Sequence, residues 1–146
     1  MKQYKSQVFP KTESPFDEAD YFSKKLFHES DIADLAFDFF HDLVDYSVID
    51  VRSKEDYKKV HIPGALSYPS GILPKDTFPK DSPILVYCWG PSCNGATKSA
   101  AKLTAQGYRV KELIGGIEYW LKENCPVEGS DTSREALYWQ YSFLNR

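Results

Sequence analysis

Apolar positions along the chain follow two periods. A short continuous run of β-branched and apolar residues occupies 84–87, and strands with polar residues among the apolar ones read at 47–52, 66–68 and 110–114. The continuous run suits a strand of a parallel sheet buried on both faces. Between them the period is helical. Ile32, Leu35, Phe39 and Leu43 form one stripe behind Ser30 and Asp31, which open the helix. Ser53 to Asp56 has the form of a capping box for a short helix to about Val60. From Gly95 onward Ala96, Ala100, Leu103 and Ala105 recur at helical spacing, and Gly107 supplies the stop. A helix over 117–123 follows the Gly115–Gly116 turn and places Trp120 and Leu121 inward.

The two ends read differently. Residues 1–13 are polar and predict a loose arm. Ser14, Pro15 and Asp17 mark a helix start, with Ser14 as N-cap. That helix runs to about Phe27, with Ala19, Phe22 and Leu26 on the face that covers the sheet. His28 and His41 read as surface residues. A last helix over 133–143, with Leu137, Tyr141 and Leu144 on one stripe, either covers the domain or pairs with another subunit. Residues 61–65 form a Pro-Gly turn. The stretch 69–82, rich in Pro and Lys, is a surface connection with one helical turn near Leu73. Strands alternating with helices predict a three-layer α/β domain with a mainly parallel sheet.

Composition narrows the function classes. The chain has 146 residues, 42% of them hydrophobic and 27% charged, enough for one domain with a real core. A net charge of −3 gives no reason to expect nucleic acid or an anionic membrane as partner. No apolar stretch is long enough to span a bilayer, and no export signal is visible, so the expected location is cytoplasmic. Three cysteines do not make a disulfide framework. With three scattered histidines they show no zinc-like spacing, and neither metal nor cofactor is expected.

The chemistry concentrates at Cys88. It follows the apolar run Ile84–Tyr87 and precedes the turn Trp89, Gly90, Pro91, Ser92, Cys93 and Asn94, which leads into the helix at Gly95. Ligands of open α/β sheets bind at the carboxyl ends of strands. Free amides in such a turn, with the helix dipole, favour anions and a thiolate over a thiol. Cys88 is therefore the candidate nucleophile. Cys125 lies off the loop and reads as a packing residue. Asp50 and Arg52, at the end of another strand, read equally as site residues and as a structural ion pair or surface charge.

Three segments together resemble the rhodanese domain family. The first is Val48, Ile49, Asp50, Val51 and Arg52, with Glu55, Tyr57 and the turn His61, Ile62, Pro63, Gly64, Ala65. Lys59 and Val60 stand where that family often has a glycine before the histidine. The second is Val86, Tyr87 and Cys88 with the turn and the Ala-rich helix. The third is Gly107, Tyr108, Val110, Leu113, Gly115, Gly116 and Trp120. The likeness covers about residues 30–127, leaving 1–29 as arm and packing helix and 128–146 as a C-terminal helix.

The resemblance implies a rhodanese-like fold of five mainly parallel strands flanked by helices. It implies transfer of a sulfane sulfur from a small donor to a thiol or cyanide acceptor through a persulfide on Cys88. Trp89 to Asn94 then take the place of the loop that surrounds the persulfide, and Asp50 and Arg52 support the loop and the sheet end. Many members carry Arg or Lys within that loop; none stands between Trp89 and Asn94, and Pro91 removes one amide donor. Persulfide or polysulfide donors are therefore expected over thiosulfate. Phosphate-ester chemistry needs an arginine clamp after the cysteine, which is absent. Two alternatives to transfer are a Cys88/Cys93 redox switch and a non-catalytic interaction domain, possible as a homo-oligomer through the terminal helices.

Overall fold

The computed structural model describes residues 3–11 and 20–132. The predicted Ser14 cap, Ala19 and the helix over 133–143 lie outside them. The elements in order are α1 (Tyr21–His28), β1 (Glu29–Ser30), α2 (Ile32–Phe40), β2 (Ser47–Asp50), α3 (Lys54–Lys59), β3 (Leu66–Ser67), β4 (Ile84–Tyr87), α4 (Gly95–Ala105), β5 (Val110–Leu113) and α5 (Gly116–Lys122). Five strands form one parallel sheet in the order β1-β5-β4-β2-β3.

Central position explains composition. β4 lies between β2 and β5, and Ile84, Leu85, Val86 and Tyr87 are all fully buried. β2 pairs with it in register, Ile49 beside Val86 and Asp50 beside Tyr87. The buried faces of α2 and α5 meet through Phe39 and Trp120, whose rings cross edge to face at 5.8 Å. Asp31 caps α2 by accepting from the Asp34 amide, and Ser53 caps α3 by accepting from that of Asp56. A 3-10 turn at Pro69–Gly71 stands slightly earlier than the turn expected near Leu73.

Three expectations change. The strand Glu29–Ser30 escaped the sequence reading because two polar residues carry no period. Helix α1 is capped by Asp20, whose carboxylate accepts from the Phe22 and Ser23 amides. Its apolar side does not cover the sheet, because Phe22 is 69% and Leu26 72% exposed. Polar anchors hold it instead. Lys111 Nζ donates to the Leu26 carbonyl at 2.9 Å and Arg109 Nη1 to that of Phe27 at 2.7 Å. Cations at a helix C-terminus satisfy its orphan carbonyls and oppose its dipole.

The third change concerns the polar arm. Val8 is fully buried in the core. The reason is Asp38, a fully buried carboxylate on α2. It accepts from the Gln7 amide at 2.6 Å, the Tyr46 hydroxyl at 2.8 Å, the Val8 amide at 3.3 Å and the Ser6 hydroxyl. Burial, then the hydrogen bond to Asp38, push the Tyr46 phenol far above its usual range. A helical aspartate inside the core is thus the clamp for a segment that composition alone marks as loose. At the other end, residues 128–131 pair back on 58–61, with reciprocal backbone bonds between His61 and Glu128 of 2.8 and 3.0 Å.

Asp38→Ala leaves the buried donors of Val8 and Tyr46, and the half-buried amide of Gln7, without an acceptor, and such loss costs about 2–4 kcal/mol. Denaturant unfolding should show that loss, and amide exchange at Gln7 and Val8 should accelerate. Unchanged exchange there would contradict the clamp.

Candidate active site

Cys88 leaves the carboxyl end of β4, and its side chain is 7% exposed. Two anchors hold the backbone around it. The Val51 amide donates to the Tyr87 carbonyl at 3.0 Å. The first turn of α5 then takes up the next two carbonyls, Ile117 N–H to Cys88 O at 3.1 Å and Glu118 N–H to Trp89 O at 2.8 Å. Gly116 makes that approach possible. Its φ is +55°, and a Cβ there would lie 2.5 Å from Cys88 O. The loop closes on itself through the Cys93 amide, which donates to Gly90 O at 3.0 Å.

The loop residues divide by exposure. Pro91, Ser92 and Asn94 are exposed, Gly90 and Cys93 half-buried, and Trp89 is buried. Asn94 precedes α4 without a side-chain capping bond. Cys88, Gly90, Pro91, Ser92, Cys93 and Asn94 all line an open cleft of about 560 Å³. Trp89 does not line it. Its ring packs under the loop, with the Arg52 guanidinium 4.5 Å from its centroid.

Arg52 connects that ring to the sheet. Asp50 and Arg52 are both buried and form a bidentate pair, with Nη2 to Oδ2 at 2.8 Å and Nε to Oδ1 at 3.1 Å. Asp50 also accepts from the Arg52 amide at 2.9 Å. Arg52 Nη2 donates onward to the Val60 carbonyl at the end of α3. Burial opposes the guanidinium charge, yet the Asp50 carboxylate outweighs it and raises Arg52 overall. Neither side chain lines the cleft.

The two loop thiols are neighbours: Cys88 Sγ lies 2.9 Å from Cys93 Sγ. The Gly95 amide, at the start of α4, donates to Cys93 Sγ at 3.4 Å. A Cβ on Gly95 would stand 2.8 Å from Cys88 Sγ and 3.4 Å from Cys93 Sγ, so both sulfurs rest against this glycine. The expected depression of the Cys88 pKa does not appear. The Cys93 thiol, then burial, push Cys88 well up, against the Trp89 amide that pulls it down. Sulfurs this close hold one negative charge readily and oppose a second.

Charge around the cleft is mixed. Lys25 reaches it from α1, beside Glu29 and Glu112. Lys25 Nζ is 2.6 Å from the Glu29 carboxylate, and Glu112 accepts from the Thr97 hydroxyl at 2.6 Å. Sequence reasoning missed Lys25, because it is far from Cys88 in sequence and comes near only through β1. An apolar groove of about 580 Å³ adjoins the cleft, sharing Pro91, Ile114 and Gly115, and adds Ile32, Phe40 and Tyr119. Cys125 faces this groove as a buried thiol, away from Cys88.

Removing Asp50 strands a buried guanidinium, which costs about 3–5 kcal/mol. Asp50→Ala should therefore unfold at lower denaturant and lose activity together; intact stability with lost turnover would make Asp50 a catalytic group. A raised thiol pKa means that the thiolate appears only at higher pH. Cys93→Ala removes the largest cause, so alkylation of Cys88 by iodoacetamide should move to lower pH. A profile that stays or moves upward contradicts the assignment.

Similarity to known proteins agrees with this geometry. Residues 38–123 match the rhodanese-like domain family. A sulfurtransferase of Allochromatium vinosum is 33% identical over 89 residues, which span 59% of this chain and 81% of that protein. A thiosulfate sulfurtransferase GlpE of Vibrio cholerae is 32% identical over 87 residues, 57% of this chain and 79% of the relative. The crystal structure of the BH2092 protein from Bacillus halodurans superimposes with a TM-score of 0.77 at 48% identity, over 85% of this chain and 94% of that one. Among the described residues, no helix is long and apolar enough to cross a membrane. The five-stranded parallel sheet, the cysteine at the end of its central strand and a match over more than half of the sequence place this chain in the rhodanese-like domain family.

Proposed function

We propose that the chain is a sulfurtransferase that carries a sulfane sulfur as a persulfide on Cys88, taken from a small persulfide or polysulfide and passed to a thiol or cyanide. The observation that carries this reading is the position of Cys88, at a strand end in an open cleft ringed by its own loop. The Cys88 thiolate attacks the outer sulfur of the donor, and the donor's thiolate leaves. The resulting persulfide is an anion, and the Trp89 amide beside Cys88 favours negative charge there. An acceptor thiolate then attacks the outer sulfur, and the Cys88 thiolate is the leaving group.

Donor choice follows from charge and shape. Thiosulfate brings a dianion to a cleft whose Lys25 is already matched by Glu29, with Glu112 beside them. The loop supplies dipoles only. A missing loop cation is worth roughly ten- to thirty-fold in rate after screening. The adjoining apolar groove suits the organic part of a persulfide, a role the buried Trp89 does not fill.

Intact-mass analysis after a persulfide pulse should show one added sulfur, lost in Cys88→Ser. An adduct and turnover that survive this change would place the site elsewhere. The kcat/KM for an organic persulfide should exceed that for thiosulfate. Ser92→Arg, at an exposed loop position, should raise thiosulfate turnover by roughly ten- to thirty-fold, less at high salt. A wild type that already prefers thiosulfate overturns the donor assignment.

A further inference from the structure

The second sulfur of the cleft has no task in simple transfer, which needs one cysteine. Cys93 is half-buried, lines the same cleft, and its Sγ is 2.9 Å from Cys88 Sγ. It therefore faces the inner sulfur of any persulfide formed on Cys88. The Gly95 amide at 3.4 Å is a donor available to a thiolate at Cys93. Both side chains meet over Gly95, where any larger residue would intrude on the two sulfurs.

We propose that Cys93 is a resolving cysteine: its sulfur attacks Cys88 Sγ of the anionic persulfide, the Cys93 proton passes to the departing sulfane sulfur, a Cys88–Cys93 disulfide forms and hydrosulfide leaves. This rests on the persulfide reading above and adds a second outcome at the same site. The bond formed joins the two cysteine sulfurs, and the bond broken joins Cys88 Sγ to the sulfane sulfur. The sulfane sulfur takes the electron pair and is reduced to hydrosulfide, while the two cysteines are oxidised to the disulfide. No external oxidant is consumed. A dithiol reductant of the thioredoxin class then attacks the disulfide, leaves with a disulfide of its own, and returns both thiols. The net reaction is dithiol-driven reduction of sulfane sulfur to sulfide. Transfer and reduction compete for one intermediate: a good external thiol acceptor takes the outer sulfur, and in its absence Cys93 takes the inner one. Hydrosulfide is the less basic leaving group of the two sulfurs in the persulfide, which favours this direction of cleavage.

The test is a single-turnover experiment on the reduced full chain with a stoichiometric pulse of glutathione persulfide. Wild type should release about one sulfide per chain and yield a Cys88–Cys93 linked peptide, both without added acceptor. Cys93→Ser should keep the persulfide on Cys88 and release at least roughly tenfold less sulfide until a thiol is added. Cys93→Ala serves the same purpose without a hydroxyl, and a melting curve checks both variants. Adding dithiothreitol to pulsed wild type should restore two free loop thiols and permit another turnover. A stable Cys88 persulfide in wild type, with neither sulfide nor linked peptide, overturns the resolving role and leaves the carrier reading standing. Absence of any adduct in Cys93→Ser and Cys93→Ala overturns the persulfide reading itself and this proposal with it.

Discussion

The buried pair of Asp50 and Arg52 ties the end of β2 to the end of α3 and to the ring of Trp89 at the base of the loop. One carboxylate binds the guanidinium twice and the Arg52 amide once. The same guanidinium reaches the end of α3 through Val60 and lies on Trp89 at the base of the loop. An ion pair this deep is costly to desolvate, and its net contribution to stability can be small. Its value here is directional. It adds a side-chain tie at the carboxyl ends of β2 and β4, which pair in the sheet, and Cys88 stands at that boundary.

Above this base the loop is held almost entirely by backbone. Its first two carbonyls are taken by the start of α5, through a turn that only glycine fits at Gly116. Binding the carbonyls leaves amide donors as the groups available to an anion near Cys88, as the pull of the Trp89 amide on that thiol indicates. The arrangement favours a diffuse negative charge on sulfur. Among the described residues that line the cleft the basic side chain is Lys25, which faces Glu29.

The placement of Cys93 alters the acid–base behaviour of the site. A lone cysteine at a strand end beside a helix start is expected to ionise easily. Two thiols in contact share the first charge and resist the second, and burial adds to the resistance. Reactivity is then a property of the pair.

The sequence alone determined the central strand, because burial on both faces leaves a continuous apolar signal in β4, with a shorter one at Val48 and Ile49 of β2. It also determined the helices that begin with a local cap, as at Asp31 and Ser53, since capping is settled within four residues. The candidate nucleophile was legible for the same local reason: strand, cysteine, turn and helix are consecutive. What the chain could not specify locally was decided by tertiary structure. The two-residue β1 exists only because β5 supplies its partner. Residues 6–8 are ordered by a carboxylate some thirty positions away, on α2. Helix α1 is held by Lys111 and Arg109 and not by its apolar side. Whether Asp50 and Arg52 were surface charge or a buried pair depended on what covered them. The distance between Cys88 and Cys93 was likewise set by the turn of the loop over Gly95, a matter of side-chain packing that no spacing in sequence encodes.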